Sequence, residues 1–240
     1  MRTRLNSARA LVLGGSGAVG SAVLRGLARA SVPTTFTYCR SAERAAALAS
    51  EHTQRALALD LRERGALRQL LRTLAAEGAS PNVLIHCAAI SQSLELAAIS
   101  DEAFDEVQQV NAYSAFVAVQ ELAPHLAEAG GDIVLVGAIG HAQSIPAPVH
   151  FAASQGMLSG MTMALAKELG PQGVRINMVA LGLLEGGLSR QIAPALVADY
   201  KTFSALRRLG QPDEAARVIL WLALENTYAN GEVLSVNGGL

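Results

Sequence analysis

The chain has 240 residues, 51% of them hydrophobic, and a formal net charge of −1. That length suits one α/β domain with a large buried core, and the near-zero charge removes the electrostatic case for a nucleic-acid or membrane-surface partner. No apolar run reaches the roughly 18–20 residues that a bilayer demands, and the run behind the basic start is too short for a signal peptide.

Residues 10–14 read as a buried first strand, and they run into Leu13-Gly-Gly-Ser-Gly-Ala-Val-Gly20 ahead of a helix over 18–30. A glycine cluster between a strand and a helix lets the backbone approach a pyrophosphate, with the helix N–H groups facing it. Gly14, Ser16 and Gly20 are the candidate phosphate contacts. A strand over 34–38 ends at Arg40 and Ser41, a pair suited to a 2′-phosphate and so to NADP over NAD. A helix over 42–51 and a strand over 56–60 follow. Asp60 closes that strand, beside an adenine or as the cap of a helix over 62–77.

A strand over 83–87 leads to Ala88, a further candidate cofactor contact. Beyond it come a long helix over 102–126, a strand over 133–137, a helix over 152–169 and a strand over 175–180. The least regular stretch, 184–209, follows a strand end and is the candidate lid, with an ordinary surface helix pair as the alternative. A helix over 213–224 and a strand over 233–236 complete the chain. Strictly alternating strands and helices imply a single-domain Rossmann-type doubly wound parallel sheet over residues 1–240. Cys39 and Cys87 lack metal-ligand spacing, which points to a reduced, cytoplasmic protein with no metal.

The segments Gly131–Ala138, His150–Gln155 and Ala164–Leu169 resemble the core of the short-chain dehydrogenase/reductases, close to the ketoacyl reductases. The resemblance extends over nearly the whole chain, to the ending Gly231-Glu-Val-Leu-Ser-Val-Asn-Gly-Gly239. It implies a Ser, a Tyr and a Lys at positions that here read Ala138, Phe151 and Gln155. An enoyl-reductase pattern would put its Tyr at 148, which is Pro148. Other family positions also differ. Ala18 stands for the middle glycine of the turn, His86-Cys-Ala-Ala89 for Asn-Asn-Ala-Gly, and Leu181-Gly182 for Pro-Gly. Gly186 stands for the Thr that holds the carboxamide.

The resemblance therefore implies a serviceable adenosine half with weak or absent NADP binding, and no Ser-Tyr-Lys mechanism. Asn111, at the family's relay position, and His141 are the remaining catalytic candidates. His150 is expected to be structural or interfacial, and Cys87 an inert buried thiol. Ala138, Ile139, Ile145, Pro146, Pro148, Val149 and Phe151 would line an apolar groove for an acyl or polyketide-like ligand. The expectation is a catalytically degenerate homologue, a structural or regulatory subunit of a fatty-acid- or polyketide-like pathway. The alternatives are a non-redox enzyme in the reused pocket and an atypical NADPH-dependent ketoreductase. Partners would be further copies, as a dimer or tetramer, or an active reductase, packed through the helices over 102–126 and 152–169.

Overall fold

A computed structural model describes residues 7–52, 54–138 and 147–240. Its centre is a seven-stranded parallel sheet in the order β3-β2-β1-β4-β5-β6-β7. The strands are β1 (Ala10–Leu13), β2 (Thr34–Tyr38), β3 (Arg55–Ala58), β4 (Val83–His86), β5 (Gly131–Ala138), β6 (Val174–Leu181) and β7 (Val233–Val236). The order reverses between β1 and β4, where an open α/β sheet forms its ligand crevice.

Both sheet faces are covered, which is why the central strand β1, the Val83–Ile85 stretch of β4 and the Ile133–Val136 stretch of β5 are runs of apolar residues. Leu11, Leu13, Leu84, Ile133, Leu135 and Met178 point into one core layer. Their neighbours Val12, Phe36, Ile85, Val134, Val136 and Val179 point into the other. The first layer is closed by α3 (Ala66–Ala76), α5 (Ser114–Ala129) and α6 (Val149–Leu169), the second by α1 (Ala18–Arg29), α2 (Ala42–His52) and α8 (Pro212–Leu220).

Four helices differ from the sequence expectation. The one expected over 152–169 begins three residues earlier, at Val149. The helix expected from 62 begins at Ala66, because residues 61–65 form turns in which Asp60 O accepts from Glu63 N and Glu63 O from Ala66 N. The long helix expected over 102–126 is α4 (Asp101–Gln108), a π turn over Gln109–Tyr113, and α5. α8 likewise runs into a π turn over Trp221–Glu225. Within 184–209 lie a short 3-10 turn (Gly187–Gln191) and a ten-residue helix, α7 (Pro194–Phe203), opened by Pro194. That stretch is more regular than expected. Among the described residues no helix is long and apolar enough to cross a membrane, and no His, Cys, Asp or Glu cluster could hold a metal.

Candidate functional site

The glycine turn sits at the carboxyl end of β1, and neighbouring backbone fixes its shape. Gly14 has φ +81°, and a methyl group there would lie 2.8 Å from both Ala88 Cα and Ala88 N. The turn and the β4 end are thus in direct contact, which brings Gly14 and Ala88 together. A methyl at Gly20 would run into Gly14 O and sit 2.8 Å from Gly15 Cα. Thr37 of β2 braces the turn from the other side: its Oγ1 accepts from Gly14 N (3.2 Å) and its carbonyl from Gly15 N (2.9 Å). α1 then opens at Gly17 with no side-chain cap and no acidic residue in its first turn. Such an end, free of competing anions, favours a phosphate.

Arg40 and Ser41 lie exposed at the β2 end, where a 2′-phosphate would be met. Asp60 is held by Arg62, whose Nη2 lies 2.6 Å from Oδ2 and whose backbone N donates to Oδ1 at 3.0 Å. Chiefly the Arg62 hydrogen bond pushes the Asp60 carboxyl below its usual range. Asp60 does not cap α3, which starts six residues later.

At the other end of the crevice, a buried network joins the π turn to α6. Asn111 is 1% exposed and pairs with one residue's backbone: Oδ1 accepts from Ile90 N (2.8 Å) and Nδ2 donates to Ile90 O (2.9 Å). Nδ2 also donates to Ser154 Oγ (3.1 Å), which donates in turn to Phe151 O (2.7 Å). Gln155 Nε2 donates to the same Oγ (2.9 Å), and Gln155 Oε1 accepts from Ala138 N (2.8 Å). Gln155 thus stands beside the end of β5, and Phe151 lies one turn earlier on α6. Among the described residues, the side chains that make these bonds are all uncharged. His141 lies outside the described residues, as do Ile139, Ile145 and Pro146 of the expected apolar lining.

A family described as enoyl-(acyl carrier protein) reductase matches residues 15–240. The chain belongs to the short-chain dehydrogenase/reductase superfamily. It is similar to the cyclic-di-GMP-binding biofilm dispersal mediator protein of Escherichia coli K12, 28% identical over 95% of this chain and 94% of that one. It is 29% identical to a 3-oxoacyl-[acyl-carrier-protein] reductase of Thermotoga maritima over 76% of this chain and 75% of the other. A Burkholderia cenocepacia short-chain dehydrogenase solved with NADP superposes with a TM-score of 0.91 at 29% identity, covering 98% of each chain.

In this short-chain dehydrogenase/reductase chain the tyrosine side chains are occupied or remote. Tyr200 on α7 donates to Asn237 O (2.6 Å) and packs on Gly182. Tyr113 lies under Arg64, whose guanidinium carbon is 5.3 Å from the ring centre. Tyr228 is 95% exposed, and Tyr38 belongs to β2 on the far side of β1. His150 is fully buried on α6 with neither ring nitrogen hydrogen-bonded among the described residues, and desolvation lowers its pKa. His86 is also buried, its Nε2 2.7 Å from Ser114 Oγ. Ser114 Oγ also lies 2.8 Å from Val110 O, an acceptor for its hydroxyl proton. Desolvation pushes the His86 pKa down to about 4 and raises that of the neighbouring Cys87 thiol, which is only half-buried by surface area, to about 12.

Two residues that shape the site escaped the sequence reading. Ser154 looked like filler between Phe151 and Gln155, yet it is the hub of the network. Thr37 looked like an ordinary β-branched strand residue. Only a contact between distant segments reveals either.

Proposed function

We propose that this chain is a dinucleotide-binding member of the superfamily that does not transfer hydride. It acts as a structural or regulatory subunit beside an active reductase of fatty-acid- or polyketide-like metabolism, in the cytoplasm. The observation that carries this is the state of Gln155: both ends of its amide are committed, one to Ala138 N and the other to Ser154. Phe151, one turn earlier, brings a ring without a hydroxyl. Hydride delivery to a carbonyl leaves an alkoxide, which needs a proton donor held against it. Ala138, Phe151 and Gln155 provide neither an O–H nor a cation at that place. General acid–base help is worth about 10²–10⁴ in rate, so without it turnover would be close to nil.

The phosphate end, in contrast, suits a nucleotide. Its glycine turn would be filled by any Cβ at Gly14 or Gly20, and α1 opens uncapped above it. A nicotinamide dinucleotide, when bound, supplies a hydride. Gly14, Ser16 and Gly20 would hold its phosphates, Arg40 and Ser41 its 2′-phosphate, and Ala88 and Asp60 would flank it. The NADP of the Burkholderia relative supports that ligand, and the Escherichia coli relative is named for binding a nucleotide, not for a reaction. The 3-oxoacyl reductase relative supports the pathway. α6 supports assembly: Val149, Met157 and Met163 are exposed on it, and nothing crowds Gly156 or Gly160.

Asn111, the described polar handle of a non-redox reaction, is tied to the Ile90 backbone, which favours the non-catalytic reading. The test is an NADPH titration of the pure chain with NADPH oxidation followed in the same sample, against 3-oxoacyl substrates. Binding without oxidation is expected. Brisk oxidation would leave the atypical reductase as the better reading.

A further inference from the structure

The segment after β6 crosses the mouth of the glycine turn. Gly186 and Gly187 both take left-handed φ, +87° and +57°, a succession that glycine alone adopts without strain. A methyl built on Gly187 would lie 3.3 Å from Ala18 Cβ, so the segment passes against the first residue of α1. It is held at both ends. Leu184 N donates to Ser189 Oγ (3.2 Å), and Ser93 Oγ donates to Gln191 O (3.4 Å) from the far side of the crevice.

Arg190 lies between those ties and turns back along the segment. Its Nε and Nη2 are each 3.9 Å from where a Gly186 Cβ would stand. Arg62, Arg68, Arg175 and Arg208 each grip a carboxylate. Arg190 is exposed and has no ion pair or hydrogen bond among the described residues. An unpaired guanidinium therefore stands on a segment that passes against the uncapped start of α1, within van der Waals reach of a Cβ at Gly186.

We infer that Arg190 is a lid-borne clamp for the pyrophosphate bridge of a dinucleotide seated on the glycine turn, and so separates ligands that carry the bridge from those that lack it. This rests on the dinucleotide reading above. The bridge is anionic and forked, and a guanidinium meets it with two parallel N–H donors, which a lysine ammonium cannot do. α1 offers N–H groups from below and Arg190 offers charge from above. Binding the bridge therefore also holds the lid closed.

The full chain, R190A and R190K are titrated calorimetrically with NADPH and with adenosine 2′,5′-bisphosphate, which keeps the adenosine and 2′-phosphate but has no pyrophosphate. R190A is expected to weaken NADPH about 10- to 100-fold, as for loss of hydrogen bonds to a charged group, and to leave the bisphosphate within about twofold. R190K should fall between. Amide exchange across residues 184–209 should slow on NADPH binding in the natural chain and not in R190A. Unchanged NADPH binding by R190A overturns the inference, as do equal losses for both ligands. A natural chain that binds neither ligand sinks the dinucleotide reading itself.

Discussion

Replacing Asn111 by Ala tests whether this side chain pins the backbone or does chemistry. The substitution removes three hydrogen bonds of 2.8–3.1 Å from a residue 1% exposed. Ser154 loses one donor but keeps Gln155 Nε2 and Phe151 O. The N–H and C=O of Ile90 both lose their side-chain partner. A buried polar group stripped of its partner costs about 1–3 kcal/mol. Ile90 is only half-buried, so water compensates in part, and the total comes to about 2–4 kcal/mol. Urea unfolding at fixed protein concentration reads this as a lower midpoint at unchanged slope. Asn111→Asp should do no better, since a carboxylate cannot donate to Ile90 O or Ser154 and brings a buried charge. A loss below about 0.5 kcal/mol for Asn111→Ala would refute the reasoning and return Asn111 to the list of catalytic candidates.

Further expectations come from the glycine turn and the buried β4 end. Gly20→Ala forces a methyl against Gly14 O and Gly15 Cα, rigid backbone atoms. NADPH binding should weaken more than tenfold and stability fall by about 1–3 kcal/mol; binding equal to that of the natural chain would contradict the cradle. Iodoacetamide at pH 8 should label exposed Cys39 and spare Cys87, whose thiol is raised to about 12, until urea unfolds the chain. Prompt double labelling of the folded chain would disprove that. His86 titrates near 4 when folded and near 6.5 when free, so the unfolded state binds more protons between those values. Stability should thus decline as pH falls from about 6.5 to about 4, by up to about 3 kcal/mol, and His86→Asn should flatten part of the decline. Identical pH profiles for variant and natural chain would rule His86 out as the cause.

The strand–glycine–helix signal at Leu13–Gly20 was legible in the sequence because local rules govern it: a buried apolar strand, then residues without Cβ where backbones meet. All seven strands were legible too, most of them as apolar or β-branched runs set between helical stretches. The helix boundary near Arg62 was not. Asp60 forms a tight turn with Arg62 that delays α3 to Ala66, a competition between turn and helix that composition does not resolve. The π turn over Gln109–Tyr113 was hidden too, since it widens the helix where Asn111 reaches Ile90, 21 residues away. The stretch 184–209 was read as irregular, yet Pro194 starts a regular ten-residue helix within it. At the site, the residue types at 138, 151 and 155 could be read directly. What they touch could not, because Ala138 N meets Gln155 only once β5 and α6 pack together, and Ser154 meets Asn111 only once the π turn packs on α6.

Ketone-dependent NADPH oxidation by the natural chain and by the triple variant A138S/F151Y/Q155K bears most directly on the central claim. The account predicts NADPH binding by both proteins, no measurable oxidation by the first, and oxidation above background only by the second. Steady turnover by the natural chain, left unchanged or lowered by the three substitutions, would contradict it.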